Sequence, residues 1–294
     1  MIEVGERIVA APEAPRPAAW RRFMDRDPIA AGAALTVLAI TAIALGAPIL
    51  PLANPDAAHF GQRLLPPLHA GYLLGTDQLG RDLLSRLIWG ARVSLAIGVA
   101  SSLIASTCGS LIGTLAGFFG GRTDNAIMRV IDLMLAFPYV ILAIALVAVL
   151  GPGLFNAMIA IAVANVSFFA RNIRGNVLGL LGQGYIEAAK AAGATTRRVL
   201  ARHVLPNLVP PLLVLISMNI GWMITETAGL SFLGLGAQPP QADWGSMLGD
   251  GRQFITVAYH VTLIPGVAIF ALVLSLNVIG DALRDQLDPR LRGR

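Results

Sequence analysis

The chain has 294 residues, of which 55% are hydrophobic and 13% charged, with a mean hydropathy of +0.69. An ordinary soluble domain carries about 25% charged residues, so too little polar sequence remains here to cover a water-soluble core, and the chain reads as an integral membrane protein. A net charge of +5 raises nucleic acid as a partner, but the location of positive charge matters more than its total, and here it gathers in the connections between apolar runs.

A hydrocarbon core of about 30 Å needs about 20 helical residues. Residues 1–28, with Pro12, Pro15 and Pro17, read as a tail. Six nearly uncharged runs follow: Pro28–Leu50, Arg92–Phe119, Ile127–Leu150, Leu154–Ala170, Leu208–Leu235 and Phe254–Ile279, the fourth being short for a span. The first exceeds the roughly 7–15 apolar residues of a secretory signal and is read as a retained helix. Cys108, the single cysteine, lies in the second run and is expected to act as a small packing residue. Pro138, Pro210, Pro211 and Pro265 each remove a backbone donor and are expected to bend or start helices.

Between the first two runs stands "GTDQLGRDLLSRLIWGARVSL". The i,i+4 spacing of Asp77–Arg81 and Asp82–Arg86 favours a helix, and Leu83, Leu84, Leu87 and Ile88 give it an apolar side, so a helix lying on the outer surface is predicted. The last long connection, "GLGAQPPQADWGSMLGDGR", with its adjacent prolines and five glycines, reads as a structured turn. Arginines orient the chain, because cytoplasmic loops carry the excess of Lys and Arg. The tail, the connection with Arg122 and Arg129, the stretch from Arg171 to Arg202, and the end with Arg284, Arg290, Arg292 and Arg294 fall on one side. Arg63, Arg81, Arg86, Arg92 and Arg252 fall on the other, so both termini are predicted cytoplasmic.

The segment "YIEAAKAAGATTRRVLARHVLPN", residues 185–207, is thereby cytoplasmic. Glu187 to Ala192 are strong helix formers, Gly193 interrupts them, and Thr195 is suited to cap a second short helix that Leu205-Pro206 ends. Two short helices meeting at a glycine are expected. Their alanines leave little bulk, so a partner's groove could come close to the backbone, with Arg197, Arg198 and Arg202 facing acidic groups or lipid heads. An amphipathic helix resting on the membrane fits the same residues.

The absences also inform. The one lysine, Lys190, lies in "EAAKAAG" and not in a Gly-Lys-Ser/Thr loop. The histidines His59, His69, His203 and His260 lack partners at metal-ligand spacing, and no Gly-x-Ser-x-Gly elbow occurs. Among charges inside spans, which by default suggest function, Glu226 in "MITETAGLSFLGLG" stands out. It fits a pathway or gate residue and equally a helix-pairing residue, whereas Asp132 and His260 lie nearer span ends and read as interfacial.

"EAAKAAG" followed by nine residues and "HVLP" resembles the EAA loop of ABC importer permeases, matching at Glu187, Ala188, Ala189, Gly193, Leu205 and Pro206. His203 stands where the general pattern has Ile, as in the "RHxLPN" form of the peptide subfamily. From about residue 70 onward, "LGTDQLGRDLLSRLIWGARVSL", "GGRTDNAIMRVIDLMLAFP", "LSFLGLGAQPPQADWGSML" and "GDALRDQLDPRL" are similar to the C-type permease of the dipeptide/oligopeptide/nickel group. In "NVSFFARNIRG" the chain departs from the Trp and Tyr usual before Ala-Arg.

The resemblance implies an all-α polytopic membrane protein with six transmembrane helices and the type I ABC importer fold, in the bacterial cytoplasmic membrane. The implied organisation is a cytoplasmic tail over 1–28, a first span over 29–50, and an extracytoplasmic connection with a surface helix over 51–91. A permease core over 92–281 holds the coupling loop at 185–207, and a cytoplasmic tail covers 282–294. The chain would form half of a peptide-importing pore with a second homologous permease, fed by an extracytoplasmic solute-binding protein. Glu187, Ala188, Ala189, Gly193, Arg197, Arg198, His203, Leu205 and Pro206 would couple it to one or two ATPase subunits. ATP and Mg would sit on those subunits, this chain binding no cofactor or metal. Glu226, Asp243 and Trp244 are the pathway or gate candidates. Nickel complexes, glutathione or antimicrobial peptides are alternative cargoes of the same machinery. A secondary transporter would be expected to show coupling-ion groups or broken helices in matched halves, and a mere membrane anchor would not need Glu226 or the elaborate outer connections.

Overall fold

The computed structural model describes residues 27–69 and 71–287, and most of the two predicted tails lies outside them. Helix α1 (Pro28–Gly46) starts where the Asp27 carboxylate accepts from the amides of Ile29 and Ala30 at 3.1 and 2.9 Å. Pro28 sits in the first turn, where its missing N–H costs nothing. The helix ends four residues short of the expected Leu50, in turns over 47–50.

Helix α2 (Leu83–Phe119) runs 37 residues without a break, which is about 55 Å and longer than the hydrocarbon core. Among the described residues no separate surface helix precedes it: Leu83, Leu84, Leu87 and Ile88 are helical as predicted but belong to α2 itself, and the connection holds a single 3-10 turn at Phe60–Gln62. Asp82 is the N-cap of α2, accepting from Ser85 N at 2.9 Å, and nothing between Ser85 and Arg92 interrupts the run. Aspartate favours a cap over a helix interior because its side chain competes for backbone amides. The Asp77–Arg81 pair forms in the turn ahead of the helix.

The third predicted span is also different. It divides into α3 (Gly121–Leu135) and α4 (Tyr139–Leu150), bent by 92°, with Pro138 in extended conformation as the N-cap of α4. Helix α3 is polar on one side and is fastened to helix α5 (Leu154–Leu181) by two ion pairs. Arg174 Nε and Nη2 donate to Asp124 at 2.6 Å each, and Arg171 pairs with Asp132. Among the described residues five helices are long and apolar enough to cross a membrane singly, and six spans result when the bent pair counts as one.

After α5 come α6 (Gly184–Ala191) and α7 (Thr196–Val199), as expected. The predicted stop at Leu205-Pro206 does not occur. A π-helical turn over Leu200–Val204 leads straight into α8 (Leu205–Phe232). Leu205 N reaches back to Leu200 O across that turn, and the five-residue step lets Pro206, which has no donor, enter the helix without breaking it. The outer connection holds a further departure: α9 (Trp244–Gly251) is a helix where a turn was predicted, capped by Asp243, whose Oδ2 accepts from Ser246 N at 3.1 Å. Helix α10 (His260–Leu287) closes the described chain.

The most extensive seam joins α2 to α5. Small residues of α2, among them Ser102, Ala105, Gly109, Gly113 and Gly117, are buried along it. A Cβ at Gly109 would stand 2.5 Å from Phe169 Cβ, and one at Gly113 2.3 Å from Ala170 O. Small residues let helix backbones approach where lipid supplies no hydrophobic drive between helices. Cys108 lies off this stripe and is exposed, so it is not the packing residue the sequence suggested. Behind the seam, Ala143, Val147, Ile161, Phe169 and Met223 form a buried apolar core of α4, α5 and α8. No strand occurs among the described residues, only two isolated bridges in the 69–82 region.

Candidate functional site

Three groups of residues stand out, and α8 links two of them. The first is the hairpin of α6 and α7. Gly193 has φ +80 and terminates α6: its N–H donates to Lys190 O at 2.9 Å, and Ala194 N donates to Ala189 O at 3.0 Å. This pair of bonds is the Schellman arrangement, which needs a left-handed residue at that position. Thr195 then caps α7, its Oγ1 accepting from Arg198 N at 3.4 Å. Ile186, Val199 and Val204 are buried against Ile173, Val177 and Leu208, so the hairpin is packed onto the ends of α5 and α8. The Tyr185 and His203 rings meet at a tilt of 49°, their centroids 6.2 Å apart. Of the predicted coupling residues, Glu187, Ala188, Gly193, Arg197, Arg198, Leu205 and Pro206 are exposed, and Ala189 and His203 are half-buried. Nothing lies within 4 Å of a Cβ built at Gly193. The hairpin thus presents a low, small-residue surface on a rigid base.

The second group lines an open groove of about 1090 Å³ between α4, α5 and α8. Five of its lining residues are asparagines, Asn165, Asn172, Asn176, Asn207 and Asn219, and Tyr139, Met218 and Trp222 join them. Sequence reasoning missed these asparagines because it weighed only charged groups inside spans. The signal was present, since Asn165, Asn172 and Asn176 recur at spacings of seven and four, which is one helical face. Glu226 is half-buried one turn beyond Trp222 on α8. It makes no hydrogen bond among the described residues and lies within electrostatic reach of the Tyr139 hydroxyl.

The third group sits at the opposite end of the bundle from the hairpin. Asp77 is 3% exposed and Arg81 and Arg86 are 4% and 2% exposed. Arg81 Nε donates to Asp77 Oδ2 at 2.6 Å, and Arg86 Nε stands 3.5 Å from the same oxygen. Arg86 also donates to Pro55 O and Pro240 O at 3.1 and 3.2 Å, tying the two long connections together. Asp243 and Trp244 belong here. Both are buried; Ser94 Oγ donates to Asp243 Oδ1 at 2.8 Å, and Trp244 Nε1 donates to Leu87 O at 2.8 Å. They fasten α9 to α2, and neither lines the groove. Among the described residues no cluster of His, Cys, Asp or Glu could hold a metal ion.

Comparison with known proteins gives the class. The fold matches a chain of the MetNI methionine ABC transporter in an inward-facing conformation, with a TM-score of 0.56 over 69% of this chain and 96% of that one, at 20% identity. This is the all-α, multi-pass membrane fold of an ABC importer. The family described as "Binding-protein-dependent transport system inner membrane component" matches residues 109–293. A glutathione transport system permease protein of Pectobacterium atrosepticum is 44% identical over 273 residues, covering 93% of this chain and 90% of the relative. A di/tripeptide transport system permease protein of Pseudomonas aeruginosa is 44% identical over 278 residues, covering 93% and 91%. The chain belongs to this family of inner membrane components: it is a permease subunit of an ABC importer, in the branch that holds the dipeptide and glutathione permeases.

Proposed function

We propose that this chain forms half of the translocation pore of an ATP-driven importer of di- and oligopeptides, glutathione included. A second homologous permease supplies the other half. One or two cytoplasmic ATPase subunits carry the ATP and Mg, and an extracytoplasmic solute-binding protein delivers cargo to the outer connections. The chain itself is non-catalytic and binds no nucleotide. Both termini face the cytoplasm, as does the 185–207 hairpin, in a bacterial cytoplasmic membrane.

The observation that carries this reading is the hairpin: an exposed, alanine-faced pair of short helices with Glu187 and Arg197 at its surface, locked by Gly193 and packed on the helices that carry the groove. Such a surface suits insertion into a cleft of another protein, and its buried base suits transmission of a push. A hairpin merely resting on lipid would be expected to turn a large apolar face outward, whereas Ile186, Val199 and Val204 face inward. Peptide cargo is supported by the relatives named for dipeptide, di/tripeptide and glutathione transport.

The test is uptake in proteoliposomes. The complete complex with its binding protein is expected to accumulate a labelled tripeptide only with ATP on the ATPase side. Accumulation by this chain alone, driven by an ion gradient, would refute the proposal.

A further inference from the structure

We infer that the groove between α4, α5 and α8 holds the backbone of a peptide through its asparagine carboxamides, with little regard to the peptide's side chains. The inference rests on the reading of the chain as a peptide permease and adds a binding site to it.

Asn165 and Asn219 are 4% and 7% exposed, both line the groove, and in each the Oδ1 atom is buried without a hydrogen-bond partner. The Asn165 Nδ2 group points to the Met223 sulfur at 3.8 Å and neighbours the Tyr139 hydroxyl. Buried polar atoms are nearly always partnered, and leaving one unpaired is costly. Each of these acceptors is shut off from solvent in this chain and lacks a donor, so a turn of its carboxamide toward the groove would let an entering ligand supply one.

The chemistry of the lining narrows what that is. A carboxamide offers two N–H donors and a carbonyl acceptor, the complement of the alternating C=O and N–H groups of a peptide backbone. Asn172 spends one N–H on Phe168 O at 2.9 Å and Asn207 one on Asn207's own helix at His203 O, 2.6 Å away. Each keeps its carbonyl for a visitor. The row runs along the groove, with Asn207 at the hairpin end of α8 and Asn219 three turns further on, so an extended chain would meet one carboxamide after another.

Arg284 is the one charged residue among those lining the groove, and no His, Cys, Asp or Glu is among them. A lining without acids or imidazoles is a poor ligand set for a metal ion such as nickel, and a nearly neutral one does not select cargo by charge. Met218, Phe168 and Trp222 provide apolar walls, and methionine adapts to differing shapes. The volume, about 1090 Å³, lies just above the range of roughly 300–1,000 Å³ for small-molecule pockets, before a second permease adds the facing wall.

The experiment uses the full complex in proteoliposomes. Asn165→Leu and Asn219→Leu are each expected to lower the uptake of trialanine about fivefold, the effect of one lost hydrogen bond, with copurification of all subunits checked in parallel. The same fractional loss is expected for Ala-Lys-Ala and Ala-Glu-Ala. Asn125→Leu, on the exposed side of α3, is expected to leave uptake as it is. Independently of any variant's folding, a tripeptide carrying photo-leucine is expected to crosslink to α5 and α8 of the wild-type chain during turnover.

Wild-type uptake by both asparagine variants would overturn the inference. So would crosslinking of the peptide elsewhere, or a disulfide formed under a mild added oxidant between Asn172→Cys, in a Cys108→Ser background, and a cysteine introduced on the second permease, which would mean that the groove is filled by that subunit. A wild-type complex that imports no tripeptide at all would instead overturn the peptide-permease reading, and the inference with it.

Discussion

Asp77 holds together a buried cluster of the outer connection, which Arg86 joins from the first turn of α2. Its Oδ1 accepts from the amides of Leu79 and Arg81 at 2.8 and 3.0 Å, while Oδ2 serves Arg81 and Arg86. Breaking a buried pair by removing one partner costs about 3–5 kcal/mol because the other charge stays buried, a large part of a typical total stability of about 5–15 kcal/mol. Asp77→Leu is therefore expected to lower the melting temperature of the detergent-solubilised protein sharply, and an unchanged melting temperature would show that the cluster contributes little. Glu226 poses the opposite case. Without a hydrogen bond of its own, it adds little to folding, so Glu226→Leu is expected to keep the complex intact while reducing peptide uptake several-fold. Normal uptake by that variant, in a complex of normal stability, removes Glu226 from any account of the pathway.

At the scale of elements, the α2–α5 seam decides whether the bundle forms. A Cβ at Gly113 would lie 2.3 Å from Ala170 O and 3.0 Å from Ala170 C, backbone atoms that cannot swing aside. Overpacking costs about 1–3 kcal/mol, occasionally more. Gly113→Val is expected to reach that upper end and to yield a chain that is protease-sensitive and fails to copurify with its partners. Gly46→Val, at the end of α1 with nothing within 4 Å, is expected to behave as wild type in the same assay. Apolar length located the spans, and the run of alanines and Gly193 located the hairpin, because both signals are local. The 92° bend between α3 and α4 was only half legible: Pro138 marked a break, but the pairing of α3 with Arg171 and Arg174 of α5 is a long-range contact that no local signal announces. The π turn before Pro206 and the α9 helix were not legible. Proline and glycine counts argue for interruption, while a five-residue hydrogen-bond step and the Asp243 cap, held by Ser94 from α2, override them. The groove needed the fold, since Asn165 and Asn219 meet only when α5 and α8 pack.

At the scale of the whole molecule, the hairpin and the groove share one mechanical member. From Thr196 the chain continues helically to Phe232, carrying Asn207, Asn219, Trp222 and Glu226 on the same rod whose start, at Val199 and Val204, packs on Ile186 of α6 and on Ile173 and Val177 of α5. A displacement of α6 therefore has a direct route to the groove wall, provided that the joint between α6 and α7 is stiff. Gly193 makes it stiff, because its left-handed backbone closes two hydrogen bonds that a non-glycine residue would strain by about 1–2 kcal/mol. Gly193→Arg adds that strain and places a long charged side chain on the surface that is open in this chain and, in the proposed complex, faces the ATPase. The variant is expected to insert and to assemble with the second permease, because nothing in the bundle touches the position, yet to lose ATP-driven uptake. Gly193→Ala, carrying the strain without the bulk, is expected to lose much less. Uptake and ATP hydrolysis measured together separate the possibilities: hydrolysis without uptake marks a broken joint, and wild-type uptake in Gly193→Arg would show that force does not enter through this hairpin.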